Sequence, residues 1–550
     1  MSSASATRSA EPGPLPHRAA GRPRRGGVPT IRRERHCPRR ARLGARWART
    51  ARQEGQSPAM TPLPFDNSYA RFPARFFART DPTPVPAPRL IRLNRALAEA
   101  LSLDPDWLAS PDGVAMLSGN RMPAGAEPIA TAYAGHQFGH LVPQLGDGRA
   151  ILLGEVVDRT GIRRDIQLKG AGPTPFSRSG DGRAALGPVL REYVVSEAMA
   201  ALGIPTTRAL AAVATGDRVI RERVLPGAIL TRVASSHIRV GTFQFFAIRR
   251  DTEGVRALAD HVIARHYPDL AGEANPYPAL LSAVIARQAA LVAQWLCVGF
   301  IHGVMNTDNM SVAGETIDYG PCAFLDAYDP RTKFSAIDEH GRYAYGNQPM
   351  IAQWNLARLA ESLLALFGED TEAAIRDAQD RLASFPALFE SAYHGGLGRK
   401  LGLLEEREED VGLASDLLTA MAENAADFTL TFRHLGAAAA DPAAERAVRD
   451  LFVDPTAFDA WAPRWRARLA AEPMPGPERR AAMDRVNPRF IPRNHQVEAV
   501  IEAAIERDDV APFGELVEVL SQPYAEQPER ARYAEPPREH ERVLRTFCGT

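Results

Sequence analysis

The hydrophobic pattern of this chain changes character near residue 250. Before that point, short β-type runs are separated by glycines, and one helix is predicted over 188–201, beginning at Pro188 and ended by Gly203. Beyond it, long stretches rich in Ala, Leu, Glu and Arg repeat with helical spacing. The pattern predicts a bilobal α+β fold, with a small β-rich N-lobe over 60–247 and a larger helical C-lobe over 248–550 that ends in a mobile tail. The predicted strands are 150–157, 165–169, 218–224 and 228–233, and the longest predicted helices are 277–298, 354–367, 370–383, 412–434 and 495–507.

Charge is distributed unevenly along the 550 residues. The first 59 residues contain 14 Arg, 3 Glu and no Lys or Asp, whereas the remaining residues carry a net charge of −11. The acidic body argues against a nucleic-acid binder, because affinity for phosphates requires clustered positive charge. The Arg-rich segment 1–59 lacks the apolar periodicity of a folded chain, so we predict that it is disordered.

Three origins compete for residues 1–59: a targeting peptide, a nucleic-acid-binding arm, or upstream sequence translated from a start codon placed too early. We favour the last, because globular composition begins at Met60. The segment has no apolar secretion signal, which predicts a cytoplasmic bacterial protein, or a mitochondrial one if the segment is a eukaryotic transit peptide. We expect deletion of 1–59 to leave folding and activity intact.

Cysteine and hydropathy patterns exclude several classes of protein. No Cys-x-x-Cys pair occurs among the four cysteines, which excludes a zinc ribbon and favours a reducing compartment. The longest uncharged run, Gln288 to Asn306, contains polar side chains, so we predict a buried core helix and no membrane association. His136 and His140 are flanked by glycines that disfavour a helix, and we predict no metal at this pair.

Lysine is rare in this sequence, and Lys169 is one of only three among 66 basic residues. An ammonium group is a compact point charge suited to a phosphate in a closed cleft. Lys169 ends a predicted strand and precedes Gly170, and an ordinary strand-end lysine is the alternative interpretation. Upstream, Gly146-Asp-Gly-Arg149 is either a phosphate-binding turn or a simple hairpin turn. Further glycines and cations follow over 177–183.

A kinase-like order of chemical groups continues downstream. The predicted helix carries Glu192 and Glu197, either of which could pair with Lys169, and spacing does not choose between them. An apolar helix then leads into a loop with Asp308 and Asn309, and Asp318 follows nine residues later. Such oxygen ligands suit Mg²⁺ held against a triphosphate, whereas an Asx-rich turn followed by a hairpin is the alternative. The order matches a protein kinase, although His-Arg-Asp is missing and Asp-Tyr-Gly replaces Asp-Phe-Gly.

Several longer motifs also occur in a fixed order along the chain, at 134–139, 146–149, 167–178, 180–183, 239–244, 302–309, 318–321 and 487–489. On these motifs the chain, from about Met60 to its C-terminus, resembles the selenoprotein O family of kinase-like protein adenylyltransferases. The resemblance implies an enzyme that binds ATP inverted relative to a kinase. It would transfer AMP to Ser, Thr or Tyr hydroxyls of protein substrates with the help of Mg²⁺ or Mn²⁺, and we expect a monomer.

The resemblance also implies roles for individual residues. Asp308 would be the catalytic base, Glu192 would hold Lys169, and Asn309 and Asp318 would bind the metal. Residues implied to contact the nucleotide are Gly146, Gly148, Arg149, Lys169, Asp181, Gly182, Arg232, Arg239 and Asp318. Because arginines desolvated without an anion would be costly, we expect phosphate to be the partner of Arg149, Arg232 and Arg239.

Cysteine use near the C-terminus resembles the family only in part. Family members often carry selenocysteine or cysteine near the end of the chain, and Cys548 matches this position. Some also have a cysteine after the Asp-x-Gly motif, but 329–335 lacks one and the nearest is Cys322. The sequence leaves open whether Cys548 forms a redox bridge or is a free thiol.

Two other functions compete with AMP transfer. An ordinary phosphotransferase could use the same groups, although the missing His-Arg-Asp weighs against it. A silent nucleotide-binding scaffold would not need Asp308, Asn309 and Asp318 together.

Overall fold

The computed structural model describes residues 63–547. The segment 1–59, which we predict to be disordered, and Cys548 lie outside these residues. The N-terminal part is built on an antiparallel sheet whose strands follow the order β1-β3-β6-β7-β10-β9-β2, with β8 paired to β10. The strands of this sheet are β1 Phe77–Arg79, β2 Arg89–Leu93, β3 Ile129–Thr131, β6 Ala150–Val157, β7 Arg163–Lys169, β8 Ala184–Ala185, β9 Arg208–Ile220 and β10 Val224–Ala234. Two separate two-stranded ribbons pair β4 Gly135–Gln137 with β5 His140–Val142 and β11 Phe300–Ile301 with β12 Ala323–Phe324.

The hairpin of β9 and β10 differs from the prediction. The single strand predicted over 218–224 is wrong, because 218–220 end β9, Val224 begins β10, and the residues between them form the turn, where the Arg221 N–H donates to the carbonyl of Arg223. The real strand β9 runs through the Ala-rich segment before it. Alanine has little β-propensity, and the first part of β9 is buried, so no alternation marked it as a strand. The strand predicted over 150–157 is confirmed, and it begins and ends at the predicted residues.

Helices dominate the chain after residue 240. The helices before this point are α1 Arg95–Ala100, α2 Pro105–Ala109, α3 Pro111–Leu117 and α4 Leu186–Ala201. Those after it are α5 Val240–Ala247, α6 Thr252–His266, α7 Pro276–Cys297, α8 Gln348–Leu363, α9 Thr371–Leu382, α10 Phe385–Lys400, α11 Glu408–Glu423, α12 Phe428–Ala440, α13 Glu445–Arg449, α14 Pro455–Ala470, α15 Gly476–Asp484, α16 Asn494–Arg507 and α17 Ala511–Leu520. A sheet-rich first part and a larger helical second part confirm the predicted fold class.

Two helix predictions need correction. The helix predicted over 412–434 is two helices, because Ala425 has a positive φ of 49° and the Asp427 carboxylate accepts from the Leu430 N–H to cap α12. The helix predicted over 354–367 begins earlier, at Gln348, and ends at Leu363. Both errors concern helix ends: the Asp427 cap starts α12, whereas α8 starts without a side-chain cap and with a proline in its first turn.

The apolar run Gln288–Asn306 is only partly helical. Helix α7 ends at Cys297, and Phe300–Ile301 form strand β11. By length and composition α7 alone among the described helices could cross a membrane, but 61% of its most apolar window is buried. It packs against α8 and α10 and belongs to the core of the helical part.

Helix α4 lies between the sheet and the C-terminal helices. Its apolar side chains share one buried cluster with residues of β9, β10, α16 and α17. A second cluster packs α1 to α3 against the opposite face of the sheet. This packing fixes the distance between α4 and the sheet, and therefore between Glu192 on α4 and Lys169 at the end of β7.

Candidate active site

A cleft of about 730 Å³ lies between the sheet and the helical part. All twelve residues implied by the family resemblance line it, although they are spread over 173 residues of sequence from Gly146 to Asp318. Its described lining contains seven basic side chains, Arg149, Lys169, Arg178, Arg183, Arg221, Arg232 and Arg239, and five carboxylates, Asp147, Asp181, Glu192, Asp308 and Asp318. The excess of positive charge suits an anionic ligand.

Lys169 is paired with Glu192 at the inner wall of the cleft. Lys169 ends β7, where its register partners are Ala150 on β6 and Leu230 on β10. Its ammonium forms an ion pair with Glu192 Oε2. Burial lowers the pKa of Lys169, while the charge of Glu192 opposes that shift. Glu197, the alternative partner, is bound to Arg208 by hydrogen bonds of 2.9 and 2.7 Å.

Asp318 is shared by three cations. Its Oδ1 accepts a 2.6 Å hydrogen bond from Arg232 Nη1 and lies 3.7 Å from Lys169 Nζ, and its Oδ2 accepts a 3.2 Å bond from Arg239 Nη2. Burial alone would raise the pKa of Asp318, but the three cations hold it well below its usual range. Its φ of +57° is unusual for a non-glycine residue and turns the carboxylate toward these partners.

Arg239 links Asp318 to Asp147, a residue that the sequence analysis did not assign to the site. Its guanidinium is only 1% exposed, lies 4.3 Å from the Tyr133 ring centroid and donates across 3.4 Å to Asp147 Oδ1. The other oxygen of Asp147 accepts from the N–H and hydroxyl of Thr131 at 3.0 and 2.5 Å. The available signal is a carboxylate between Gly146 and Gly148, but a phosphate-binding turn and a hairpin turn both explain the segment without a role for that carboxylate.

The arginines at the inner wall do not lack anions, and this corrects an expectation from the sequence. Arg232 contacts Glu192 at 3.2 Å as well as Asp318, and Arg239 contacts both Asp147 and Asp318. Lys169, Arg232 and Arg239 thus face three carboxylates. Phosphate is not needed to neutralise them, although the Nε–H groups of both arginines have no hydrogen-bond partner among the described residues.

The glycine loops form the outer wall of the cleft. Gly146 has a φ of +76°, and a Cβ there would overlap the Phe176 ring, so only glycine fits. Asp181 accepts hydrogen bonds of 2.8 and 3.1 Å from Arg221, which also donates to the Arg183 carbonyl at 2.9 Å. Arg221, also missed from the sequence, fastens this loop to the β9–β10 hairpin.

Asp308 occupies the opposite side of the cleft in a 3₁₀ turn, Thr307–Asn309. It is 8% exposed, and burial raises its pKa to about 6. Its Oδ2 accepts from Gln137 Nε2 at 3.4 Å, and its Oδ1 has no hydrogen-bond partner among the described residues. Asn309 is oriented by its Nδ2, which donates to the Val304 carbonyl at 2.9 Å.

Metal ligands at the site would be oxygens. No group of three or more His, Cys, Asp or Glu within residues 63–547 is arranged to hold a metal by itself. Asn309 and Asp318 line the same cleft, and their amide and carboxylate oxygens are the donors that Mg²⁺ or Mn²⁺ prefers. This donor set fits a divalent ion that takes its other ligands from a nucleotide and water.

The described chain ends close to the site. Thr546 is buried, its hydroxyl donates to the Pro321 carbonyl at 2.6 Å, and its N–H donates to the Phe334 carbonyl at 2.8 Å. Pro321 lines the cleft two residues after Tyr319. The tail therefore contacts the segment that follows Asp318.

Comparison with known proteins decides the family. A sequence profile described as protein adenylyltransferase SelO matches residues 59–521. The chain belongs to the SelO family. Proteins named protein nucleotidyltransferase YdiU are similar over most of its length: one from Bradyrhizobium diazoefficiens is 69% identical over 488 residues, covering 89% of this chain and 99% of the relative. One from Methylorubrum populi is 69% identical over 498 residues, covering 89% of this chain and all of the relative. The family and the enzyme class predicted from the sequence motifs, a protein nucleotidyltransferase, are thereby confirmed.

Proposed function

We propose that this SelO-family enzyme transfers AMP from ATP to Ser, Thr or Tyr hydroxyls of other proteins, with the nucleotide inverted relative to a kinase. The observation that carries the proposal is the buried group of Lys169, Arg232 and Arg239 around Asp318, opposite Asp308. A kinase directs its γ-phosphate outward, toward the acceptor. Cations concentrated at the inner wall instead suit β- and γ-phosphates that lie inside the cleft.

The residues divide between nucleotide and acceptor. Lys169, held by Glu192, would bind phosphate together with Arg232 and Arg239 at the inner wall. At the outer wall, the backbone of the glycine loops approaches the nucleotide closely. The outer-wall residues that we assign to nucleotide binding are Gly146, Gly148, Arg149, Asp181 and Gly182. Because one chain supplies every one of these groups, we also propose that the enzyme acts as a monomer.

The chemistry requires one proton transfer and one displacement at phosphorus. The acceptor hydroxyl oxygen bonds to the α-phosphorus, the bond from that phosphorus to the bridging oxygen of the β-phosphate breaks, and pyrophosphate leaves. Asp308 accepts the hydroxyl proton. Arg232, Arg239 and Lys169 stabilise the charge that develops on the leaving pyrophosphate, and a buried site strengthens this interaction.

Asn309 and Asp318 would hold Mg²⁺ or Mn²⁺, which supplies charge neutralisation on the phosphate oxygens when bound. Asp318 is already bonded to cations of the protein, so binding requires Arg239, Arg232 and Lys169 to turn partly from Asp318 to phosphate. The Nε–H groups of both arginines have no hydrogen-bond partner among the described residues, so each guanidinium has a donor to spare if it turns. Asp147 and Glu192 keep the arginines paired while it takes place.

The position of the transferred label tests the proposal. Incubation with ATP radiolabelled on the α-phosphate should label protein hydroxyls, whereas γ-labelled ATP should not. Intact-mass measurement should show additions of about 329 Da for AMP and none of about 80 Da for phosphate, as the formulas of the two groups require. The variant Asp308→Asn keeps the shape of the side chain, should bind ATP and should transfer far less AMP. Label from the γ position would establish an ordinary kinase instead.

A further inference from the structure

The β4–β5 hairpin is attached directly to the loop that carries Asp308. Three consecutive hairpin residues bond to three consecutive loop residues, which ties the two segments together along their length. The bonds run from the His136 N–H to Thr307 Oγ1 at 2.7 Å, from Gln137 Nε2 to Asp308 Oδ2 at 3.4 Å and from the Phe138 N–H to Asn306 Oδ1 at 3.1 Å. Gln137 and Phe138 also line the cleft.

The backbone of the hairpin packs directly against the Asp308 carboxylate. Gly135 lies against the carboxylate, and a Cβ at this position would overlap Asp308 Oδ1 and Cγ. Glycine is therefore required, and the carboxylate is packed against main chain on one side. Because Oδ1 is buried there, an acceptor hydroxyl would have to approach Oδ2.

The tip of the hairpin is strained. Phe138 has a φ of +51°, a left-handed conformation that is unfavourable for a bulky L-residue. The strain is offset by the hydrogen bond to Asn306 and by an edge contact with Tyr343, whose ring centroid lies 5.1 Å away. Tyr343 itself donates to Asn306 Oδ1 at 2.6 Å. Backbone strain held in place by several contacts is common at functional sites.

We propose that Gln137 is a positioning residue for the base of the reaction. An ionised carboxylate oxygen can accept two hydrogen bonds. The Gln137 carboxamide occupies one acceptor position of Asp308 Oδ2 and thereby directs the other toward the acceptor hydroxyl. Gln137 is the one side-chain donor to Asp308 found among the described residues, and together with the close packing of Gly135 it holds the rotation of the carboxylate. The proposal rests on the AMP transfer proposed above and adds a residue to it.

Matched glutamine variants test this role. Gln137→Leu removes the donor at similar size, and Gln137→Glu places a second carboxylate beside Asp308. Gln144→Leu is the control, because Gln144 follows the same hairpin but contacts Arg249 and does not line the cleft. We expect kcat for AMP transfer to fall roughly 10- to 100-fold in Gln137→Leu, and further in Gln137→Glu. KM for ATP and the melting temperature should stay close to wild type. If Gln137 were only a structural residue, its replacement would lower the melting temperature instead.

Two outcomes would overturn the role of Gln137. One is a wild-type kcat in Gln137→Leu, and the other is a raised KM for ATP with kcat unchanged. Absence of α-label transfer by the wild-type enzyme would instead reject the proposed function. Crystal structures of wild type and Gln137→Leu decide the inference in that case: Asp308 should rotate in the variant, and an unmoved carboxylate would refute the positioning role.

Discussion

Two buried networks of arginine and aspartate in this molecule are built differently. In the helical part, Arg493 is fully buried and donates from Nη1 to Asp326 at 2.8 Å and to Asp427 at 2.6 Å, and from Nη2 to Asp427 at 3.2 Å and to the Ala534 carbonyl at 3.1 Å. At the cleft, Arg239 is almost as deeply buried. Its contacts with Asp147 and Asp318, at 3.4 and 3.2 Å, are longer than the two bonds from Arg493 Nη1.

The difference lies in how the charges are shared. Arg493 serves two carboxylates and a carbonyl, and it ties the start of α16 to α12 and to the segment after β12. At the cleft, the single carboxylate Asp318 is divided among Arg232, Arg239 and Lys169. A shared carboxylate can give up one partner and keep the others. The Arg493 network therefore suits stability, and the Asp318 network at the cleft suits exchange of partners with a ligand.

The largest effect should come from Asp318→Ala. It removes the centre of the cleft network and a proposed metal ligand, so AMP transfer should be abolished and metal-dependent ATP binding lost. Filter-binding with labelled ATP, with and without Mg²⁺, measures the second effect. Asp326→Ala is the matched control, since it removes an aspartate from the Arg493 network and should leave transfer per folded molecule unchanged. Wild-type turnover by Asp318→Ala would reject its assignment.

The next largest effect should be on stability, in Arg493→Ala. Removing one partner of a buried ion pair leaves uncompensated charge, here on Asp326 and Asp427, and typically costs about 3–5 kcal/mol. Urea denaturation of the variant should show a correspondingly lower midpoint. Arg449→Ala removes an exposed arginine paired with Asp459 and should change the midpoint little. Equal midpoints for the two variants would contradict the structural role of Arg493.

The two networks also show what the sequence could predict about the site. Lys169 was distinctive because lysine is rare here, and Asp308, Asn309 and Asp318 lie in one compact motif. Asp147 and Arg221 were missed, because a turn and a predicted strand already accounted for their segments. Their partners, Arg239 and Asp181, are 92 and 40 residues away. Only the sheet register and the hairpin bring such pairs together.

The fold was predictable where one local signal dominated. The buried strand β6 and the long helix α7 have strong apolar patterns, and both were found. The Ala-rich strand β9 was not, since its pairing with β10 and β2 rather than its side chains makes it a strand. The choice of Glu192 over Glu197 likewise depends on how α4 is rotated against the sheet, which spacing along one helix cannot reveal.

A smaller effect is expected for Lys169→Arg, which keeps the charge and changes its shape. The site encloses an ammonium between Glu192 and Asp318, and a planar guanidinium needs more width and a different donor geometry. We expect AMP transfer to fall roughly 100-fold with the fold retained. Lys400→Arg is the comparison, because Lys400 is also buried but lies over the Phe432 ring at 4.4 Å and does not line the cleft, so it should leave AMP transfer per folded molecule unchanged. A fully active Lys169→Arg enzyme would mean that charge alone suffices.

The smallest effect, and the sharpest test of the contrast between the networks, is expected for Arg239→Ala. Asp318 would keep Arg232 and Lys169, and Asp147 would keep its bonds to Thr131, so the loss of stability should be smaller than in Arg493→Ala. ATP binding should weaken roughly 10- to 100-fold, the worth of one charge-assisted hydrogen bond to phosphate. Arg265→Ala is the control, since Arg265 is buried against Asp165 and Glu155 in the same part of the molecule but does not line the cleft. It should lower the melting temperature without changing the Kd for ATP of the folded protein. If Arg239→Ala instead destabilised the protein as much as Arg493→Ala and left the Kd unchanged, the cleft network would be structural like the other, and nucleotide binding at the inner wall would be rejected.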